Sequence, residues 1–344
     1  MDAVTEPLAH VRPRHERKQK HRLRITLISI GSVVAVLLAG AGVYAFSISQ
    51  TFNNVQKIDD VFPDDSVRPP VVKTEGSAPQ NILLLGSDTR GKLGTSIEEI
   101  KGTRSDTMMV VHIPADRENI QVMSFMRDFW VEIPGHGEAK LNAAMAWGGI
   151  PLLVQTLEGL IDSRIDHVAI VDFQGFKGIT DALGGVTVDN PKAFTGTELK
   201  GHRFEKGLIT LHGEEALGFV RERHAFADGD YTRVRNQQLF IKAVMGEVLS
   251  AETLTNPLTI SNLVGNVAPF MAVDAGLNAS YAATLGFELR GIRVGDVRFF
   301  TIPTLGTGTE RGQSIVKVDW GELEKIKAAF KADELDKYTL PVKP

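Results

Sequence analysis

The chain has 344 residues, 43% of them hydrophobic and 23% charged, and a formal charge of −4. This ordinary composition excludes collagen-like, low-complexity and wholly disordered chains, and the length suits one large domain or two smaller ones. The absence of cysteine excludes a disulfide scaffold, a thiolate nucleophile and Cys-ligated zinc.

The charge is unevenly spread. Residues 1–24 carry seven Lys/Arg against Asp2, Glu6 and Glu16, a net of +4, which leaves −8 for the rest. A mildly acidic body argues against a nucleic-acid binder. Residues 25–46 form a run of 22 without a charge. As a helix it measures about 33 Å, enough to cross a bilayer core of about 30 Å. A cleaved signal peptide has a shorter apolar region followed by small residues. Ala39, Gly40, Ala41 and Gly42 resemble such a site, but the run continues past them. The expectation is one retained transmembrane helix. The basic cluster before it puts the N-terminus in the cytoplasm and the body outside, at the cell membrane. Residues 47–80 are polar, with Pro63, Pro69, Pro70 and Pro79, and read as an extracytoplasmic linker.

In the body, residues 81–85 form a continuous apolar run ending at Gly86, a buried-strand pattern. Strands are also predicted at 107–113 and 120–126, separated by a turn cluster, with 129–133 as an extension of the third. Residues 141–161 show helical spacing interrupted by Gly148 and Gly149. A strand at 166–173, a helix at 176–183 closed by Gly184 and Gly185, and a short strand at 186–188 follow. Helices are expected at 211–220, 231–250, within 256–290 and at 320–332, with a late strand at 297–302. The order indicates an α/β body with a mixed central sheet flanked by helices. Residues 81–250 would be its core and 251–344 a C-terminal portion packing on it.

If the first three strands form an antiparallel meander, three chain ends share one edge. They carry Asp88 and Arg90, then Arg104 and Asp106, then Arg127 and Asp128. Each pair alone would be an ordinary exposed ion pair; convergence makes a site. The helix after Asp230 adds to it. Its inward stripe runs from Asp230 through Arg233 or Val234 to Gln237 before turning aliphatic at Ile241, Val244, Met245 and Val248. Buried charge needs a counter-ion or ligand. Arg221 and Arg223, two apart, address one site only if their helix ends there. They are then expected to face Arg233 across a small pocket. An acidic pair with several arginines suits phosphate esters: carboxylates hold a hard cation such as Mg²⁺, and guanidinium forks bind phosphate oxygens. Phosphate-loop, metalloprotease and serine-elbow motifs are absent.

These residues resemble the LytR-CpsA-Psr family of bacterial cell-wall enzymes. The resemblance rests on collinear segments: NILLLGSDTR at 81–90, RSDTMMVVHI at 104–113, SFMRDFWVEIPG at 124–135, KLNAA at 140–144, IDHVAIVDFQGF at 165–176, DALGGVTV at 181–188 and GEEALGFVRERHAFADGDYTRVRNQQ at 213–238. It implies an extracytoplasmic phosphotransferase that takes a glycopolymer from a polyprenyl-pyrophosphate carrier to peptidoglycan, usually the 6-hydroxyl of N-acetylmuramic acid. By position, Asp88 and Asp106 correspond to the Mg²⁺ (or Mn²⁺) carboxylates. Arg104, Arg127, Arg221, Arg223, Arg233 and Gln237 correspond to a pyrophosphate clamp with Asp230 among them, and Lys140 to a recurrent lysine. Met126 stands where proline is usual, and Asn236 where arginine is common, with Arg235 shifted by one. The apolar stretch from Ala143 to Leu157 is material for a lipid slot or for plain core. A hydrolase using the same groups, and a transcription regulator, are the alternatives. Nucleic acid is not expected as a partner.

Overall fold

The computed structural model describes residues 55–71, 77–87, 105–250 and 256–341, together with Ser49, Gln50 and Phe52. The basic tail and the expected transmembrane helix at 25–46 lie outside the described residues, as do Asp88, Arg90 and Arg104. Of Asp106 the backbone is described and the side chain is not.

The sheet is built from the most apolar runs of the chain. Strands β1 (Gln56–Ile58), β2 (Gln80–Ser87), β3 (Ser105–Ile113) and β4 (Ile120–Phe125) are followed by a separate hairpin, β5 (Trp130–Ile133) and β6 (Gly137–Lys140). Helix α1 (Asn142–Ile161), β7 (His167–Asp172), α2 (Phe173–Ala182) and β8 (Val186–Asn190) come next. After the short strands β9 (Phe194–Thr195), β10 (Arg203–Phe204) and β11 (Gly207–Leu211) come α3 (Gly213–Arg221), α4 (Asp230–Val248) and α5 (Pro257–Val267). The chain ends with β12 (Met271–Asp274), α6 (Ala279–Glu288), β13 (Val297–Thr301), the hairpin β14 (Thr304–Glu310) and β15 (Gln313–Val318), and α7 (Trp320–Lys331).

The central sheet has seven strands in the order β1-β12-β7-β2-β3-β4-β13. β2, β3 and β4 form the expected antiparallel meander, with Gly86 opposite Thr107 and Met108 opposite Phe125. β2 runs parallel to β7, and β13 parallel to β4, so the sheet is mixed. Alternation along the strands covers both faces. Leu83, Leu85, Met108, Val110 and Phe125 pack with residues of α1 and α7 in the main core. Ile82, Leu84, Met109 and Val122 face the other way, towards Ile241 and Met245 of α4.

Three expectations are corrected, and one element is added. Residues 129–133 do not extend the third strand; the chain turns at Arg127-Asp128 and forms the β5–β6 hairpin. The 47–80 stretch is in part folded: β1 pairs in parallel with β12, Val55, Ile58 and Val61 are buried, and Arg68 binds buried Glu158 at 2.6 Å. Leu211 closes a strand paired to β8 rather than opening a helix. The β14–β15 hairpin, rich in glycine and threonine, was not foreseen. Helix α1 kinks where the glycines stand, because Gly149 adopts φ 67° and ψ −155°, a region essentially reserved to glycine.

Candidate functional site

The meander brings three chain ends to one rim. Ser87 at the end of β2 lies opposite Ser105 at the start of β3, so the residues next to Asp88 and Asp106 are direct neighbours. The approach is tight: a Cβ on Gly86 would meet Thr107 Cβ at 3.0 Å, which explains glycine in LGSDTR. At the end of β4, Met126 is buried and the chain turns through Arg127 and Asp128. That turn is pinned because Asn142 N–H donates to the Arg127 carbonyl at 3.0 Å and Leu141 N–H to that of Phe129 at 2.8 Å.

Asp230, the first residue of α4, is the hub of the rim. Its carboxylate lies 3.0 Å from the Arg233 guanidinium, 3.4 Å from Arg127 Nε and 3.9 Å from Arg223. Asp128 completes the cluster, 3.1 Å from Lys140 Nζ and 3.6 Å from Arg127 Nε. Burial pushes the Asp128 carboxyl up, yet the charges of Arg127 and Lys140 and a hydrogen bond with Asp230 outweigh it and hold the group below its ordinary value. Among the described residues, four cations thus gather around these two carboxylates. Arg233 is only 3% exposed, so its charge needs compensation, and Asp230 supplies one counter-charge.

Helix α3 does end at Arg221, and Glu222 is extended at φ −62° and ψ 127°. The two arginines nevertheless part. Arg223 turns to Asp230, whereas Arg221 stacks on the Phe173 ring at 4.6 Å and pairs with Glu198 at 3.3 Å. The expected trio of facing arginines is therefore not assembled as drawn: Arg223 and Arg233 meet on Asp230, and Arg221 is held elsewhere. Gln237 is buried, its amide directed at the Val220 carbonyl at 3.4 Å, and Asn236 reaches the Phe219 carbonyl at 3.3 Å. Both amides tie α4 to the end of α3. Arg235 points outward to Asp228 and Thr232.

Glu222 escaped the sequence reading. It is fully buried and accepts from Thr197 N–H, Thr197 Oγ, Glu198 N–H and Ala225 N–H. Burial opposes its ionisation, but these donors keep its carboxyl below the ordinary value. Its signal was an acid between two arginines at a helix end. Tyr231 and Thr304, joined through their hydroxyls at 2.9 Å, fasten the start of α4 to β14.

The apolar stretch at 143–157 is mostly core: Ala144, Met145, Leu153, Val154 and Leu157 are buried, and Ala146 and Trp147, the latter against the His136 ring, are exposed. Half-buried apolar side chains gather instead on the α4 side of the sheet, at Ile82, Leu84, Val111, Ile241 and Met245. A separate cavity of about 220 Å³ has a wholly apolar lining that includes Val55, Ile179, Val244, Val264 and Met271. Among the described residues, no group of three or more His, Asp or Glu is placed to hold a metal ion.

The rim thus gathers arginines, a lysine and carboxylates at one end of the sheet, and comparison with known proteins defines the class of the chain. The LytR_cpsA_psr family model matches residues 43–332, and the chain belongs to that family. The polyisoprenyl-teichoic acid–peptidoglycan teichoic acid transferase TagU of Bacillus mycoides (strain KBAB4) is 36% identical over 236 residues, 67% of this chain and 73% of that protein. The TagU of Halalkalibacterium halodurans is 30% identical over 296 residues, 82% and 94% of the two chains. The crystal structure of B. subtilis TagV has the same fold, with a TM-score of 0.62 and 25% identity over 77% of this chain and 100% of that one.

Proposed function

We propose that this enzyme transfers a glycopolymer from a polyprenyl-pyrophosphate carrier to peptidoglycan, as a phosphodiester on the 6-hydroxyl of N-acetylmuramic acid. The observation that carries this is the cluster around Asp230, which draws the guanidinium groups of Arg127, Arg223 and Arg233 to one point of the rim, the donor set that binds phosphate oxygens. The relatives named as teichoic acid transferases point the same way.

In the reaction the acceptor hydroxyl oxygen attacks the phosphorus that bears the glycan. The new P–O bond forms as the bond to the bridging oxygen breaks, polyprenyl phosphate leaves, and the hydroxyl proton passes to solvent or a base. Arg127, Arg223 and Arg233 bind the non-bridging oxygens, and because Asp230 already fixes them they need not reorganise as charge moves to the leaving phosphate. Lys140, held by Asp128, adds a fourth donor beside Arg127. Arg104 is assigned to this clamp by family position alone, whereas Arg221, held by Glu198 and Phe173, stands apart from it. Gln237 acts on it by seating α3. Asp88 and Asp106 follow in sequence the paired Ser87 and Ser105, and their carboxylates are hard oxygen donors of the kind Mg²⁺ takes, with Mn²⁺ as a substitute. Bound there, the cation would neutralise phosphate charge. The lipid belongs against the half-buried apolar face between the sheet and α4. The charge-free run at 25–46 and the basic residues before it support a single-pass anchor with the body outside the cell membrane.

The test is transfer by the purified full chain, given lipid-linked donor and acceptor glycan. A covalent adduct is expected, and free polymer alone would make the enzyme a hydrolase. Asp88→Ala and Asp106→Ala should each abolish transfer; near-wild-type activity in both would remove the metal assignment.

A further inference from the structure

Helix α4 has a second working face. Thr232, Arg235, Leu239 and Lys242 recur every three or four residues along it and line a cleft of about 640 Å³. Arg233 and Arg235 are two apart, roughly 200° around the helix, so this cleft lies across α4 from the Asp230 cluster. Its other walls are Asn190 to Lys192 at the end of β8, the loop from Phe226 to Asp228, and Phe299 of β13. The size lies within the range of ligand clefts, about 300–1,000 Å³.

Three cations, Lys192, Arg235 and Lys242, edge the cleft against one carboxylate, Asp228. Asp228 is engaged with Arg235, whereas Lys192 and Lys242 make no ion pair among the described residues. The floor is formed by Phe226, Leu239 and Phe299, all half-buried. Cations around an apolar floor suit a chain that alternates phosphates with hydrocarbon-faced polyol or sugar units. A membrane surface would need protruding apolar groups, and these are recessed.

Position favours the same occupant. Asp228 borders the cleft and Asp230 the pyrophosphate cluster, and two residues span no more than about 7 Å. We infer that the cleft across α4 holds the anionic, phosphodiester-linked body of the glycopolymer while its pyrophosphate end sits on the Asp230 cluster. This rests on the transferase function proposed above and narrows it: the transferred polymer is a polyanion, gripped at a site apart from the chemistry.

The experiment compares two lipid-linked donors with the full chain in detergent, one bearing only the linkage sugars and one bearing a run of glycerol-phosphate repeats. For the double variant Lys192→Glu with Lys242→Glu, KM for the long donor should rise about tenfold, as expected from losing two exposed charge contacts. The short donor should be handled as by wild type. Lys192→Gln with Lys242→Gln should give a smaller effect in the same direction. Equal impairment on both donors, or none on either, overturns the proposal. Separately, binding of soluble poly(glycerol phosphate), read by calorimetry, should weaken in the double variant whether or not transfer is seen, which keeps failure of the cleft distinct from failure of the transferase assignment. If the variant instead loses binding to phosphatidylglycerol vesicles and keeps poly(glycerol phosphate), the face belongs to a membrane and the inference is wrong.

Discussion

Asp230 meets three arginines of very different exposure, and that difference predicts how each variant behaves. Asp230→Asn takes a counter-charge from Arg233, which is 3% exposed, and should cost about 3 kcal/mol. Arg233→Ala leaves Asp230 with Arg127 and Arg223, so its cost should be smaller, about 2 kcal/mol. Arg223 is 37% exposed and 3.9 Å from its partner, and Arg223→Ala should change stability by less than about 0.5 kcal/mol while losing transfer. Because Asp230 already separates the arginines, removal of one brings no relief of repulsion. Urea unfolding of the three variants checks the order. Inorganic pyrophosphate should recover more stability in Asp230→Asn than in wild type, since it replaces the missing anion. An Asp230→Asn protein as stable as wild type would show that the hub is not needed.

The elements around the site depend on single residues at their ends. Glu222 closes α3 and gathers four donors from two segments. Its carboxyl lies below the ordinary 4.5 when folded, so its contribution is complete above that value and is lost as pH falls through the folded one. Glu222→Gln should therefore cost about 2 kcal/mol at pH 7, with the gap to wild type narrowing as pH falls below the ordinary glutamate value, as thermal melts taken at stepwise lower pH would show. A gap independent of pH would mean that shape rather than charge matters at this position. In α1, Gly149→Ala should cost about 1–3 kcal/mol, because its backbone angles admit glycine almost alone. Equal melting temperatures would mean that the kink relaxes. Elements like α1 and β2 to β4 were legible in the sequence because continuous or periodic apolar runs end at glycine or turn clusters. The hairpin β14–β15 was not: TLGTGTE buries almost nothing and is held by pairing, which leaves no pattern to read. The site divides similarly. Arg127, Arg223, Asp230 and Arg233 could be placed by strand ends and helix spacing. Arg221 could not, since Glu198 and Phe173, which hold it, lie in distant segments without periodicity.

At the scale of the whole molecule, β1 makes residues 55–71 part of the body. Val55, Ile58 and Val61 are each at most 3% exposed, and burial of such side chains contributes about 1.5–3 kcal/mol apiece. A chain beginning at residue 77 should thus be less stable than one beginning at Gln50 by at least about 4 kcal/mol, and Glu158 would lose Arg68 as well. Coincident melting curves would return the segment to a linker. The opposite margin of the sheet has its own dependence. β13 is the last strand in the order and reads VRFFT, a β-prone sequence with little charge. The tail after α7 lies against it: Arg298 donates to the carbonyls of Asp336 and Tyr338, and the Tyr338 ring sits 6.0 Å from Phe300. An uncovered margin of that kind recruits strands from neighbouring molecules. A chain ending at residue 332 should consequently self-associate, its light scattering rising steeply with protein concentration, while the intact chain at the same concentration stays dispersed.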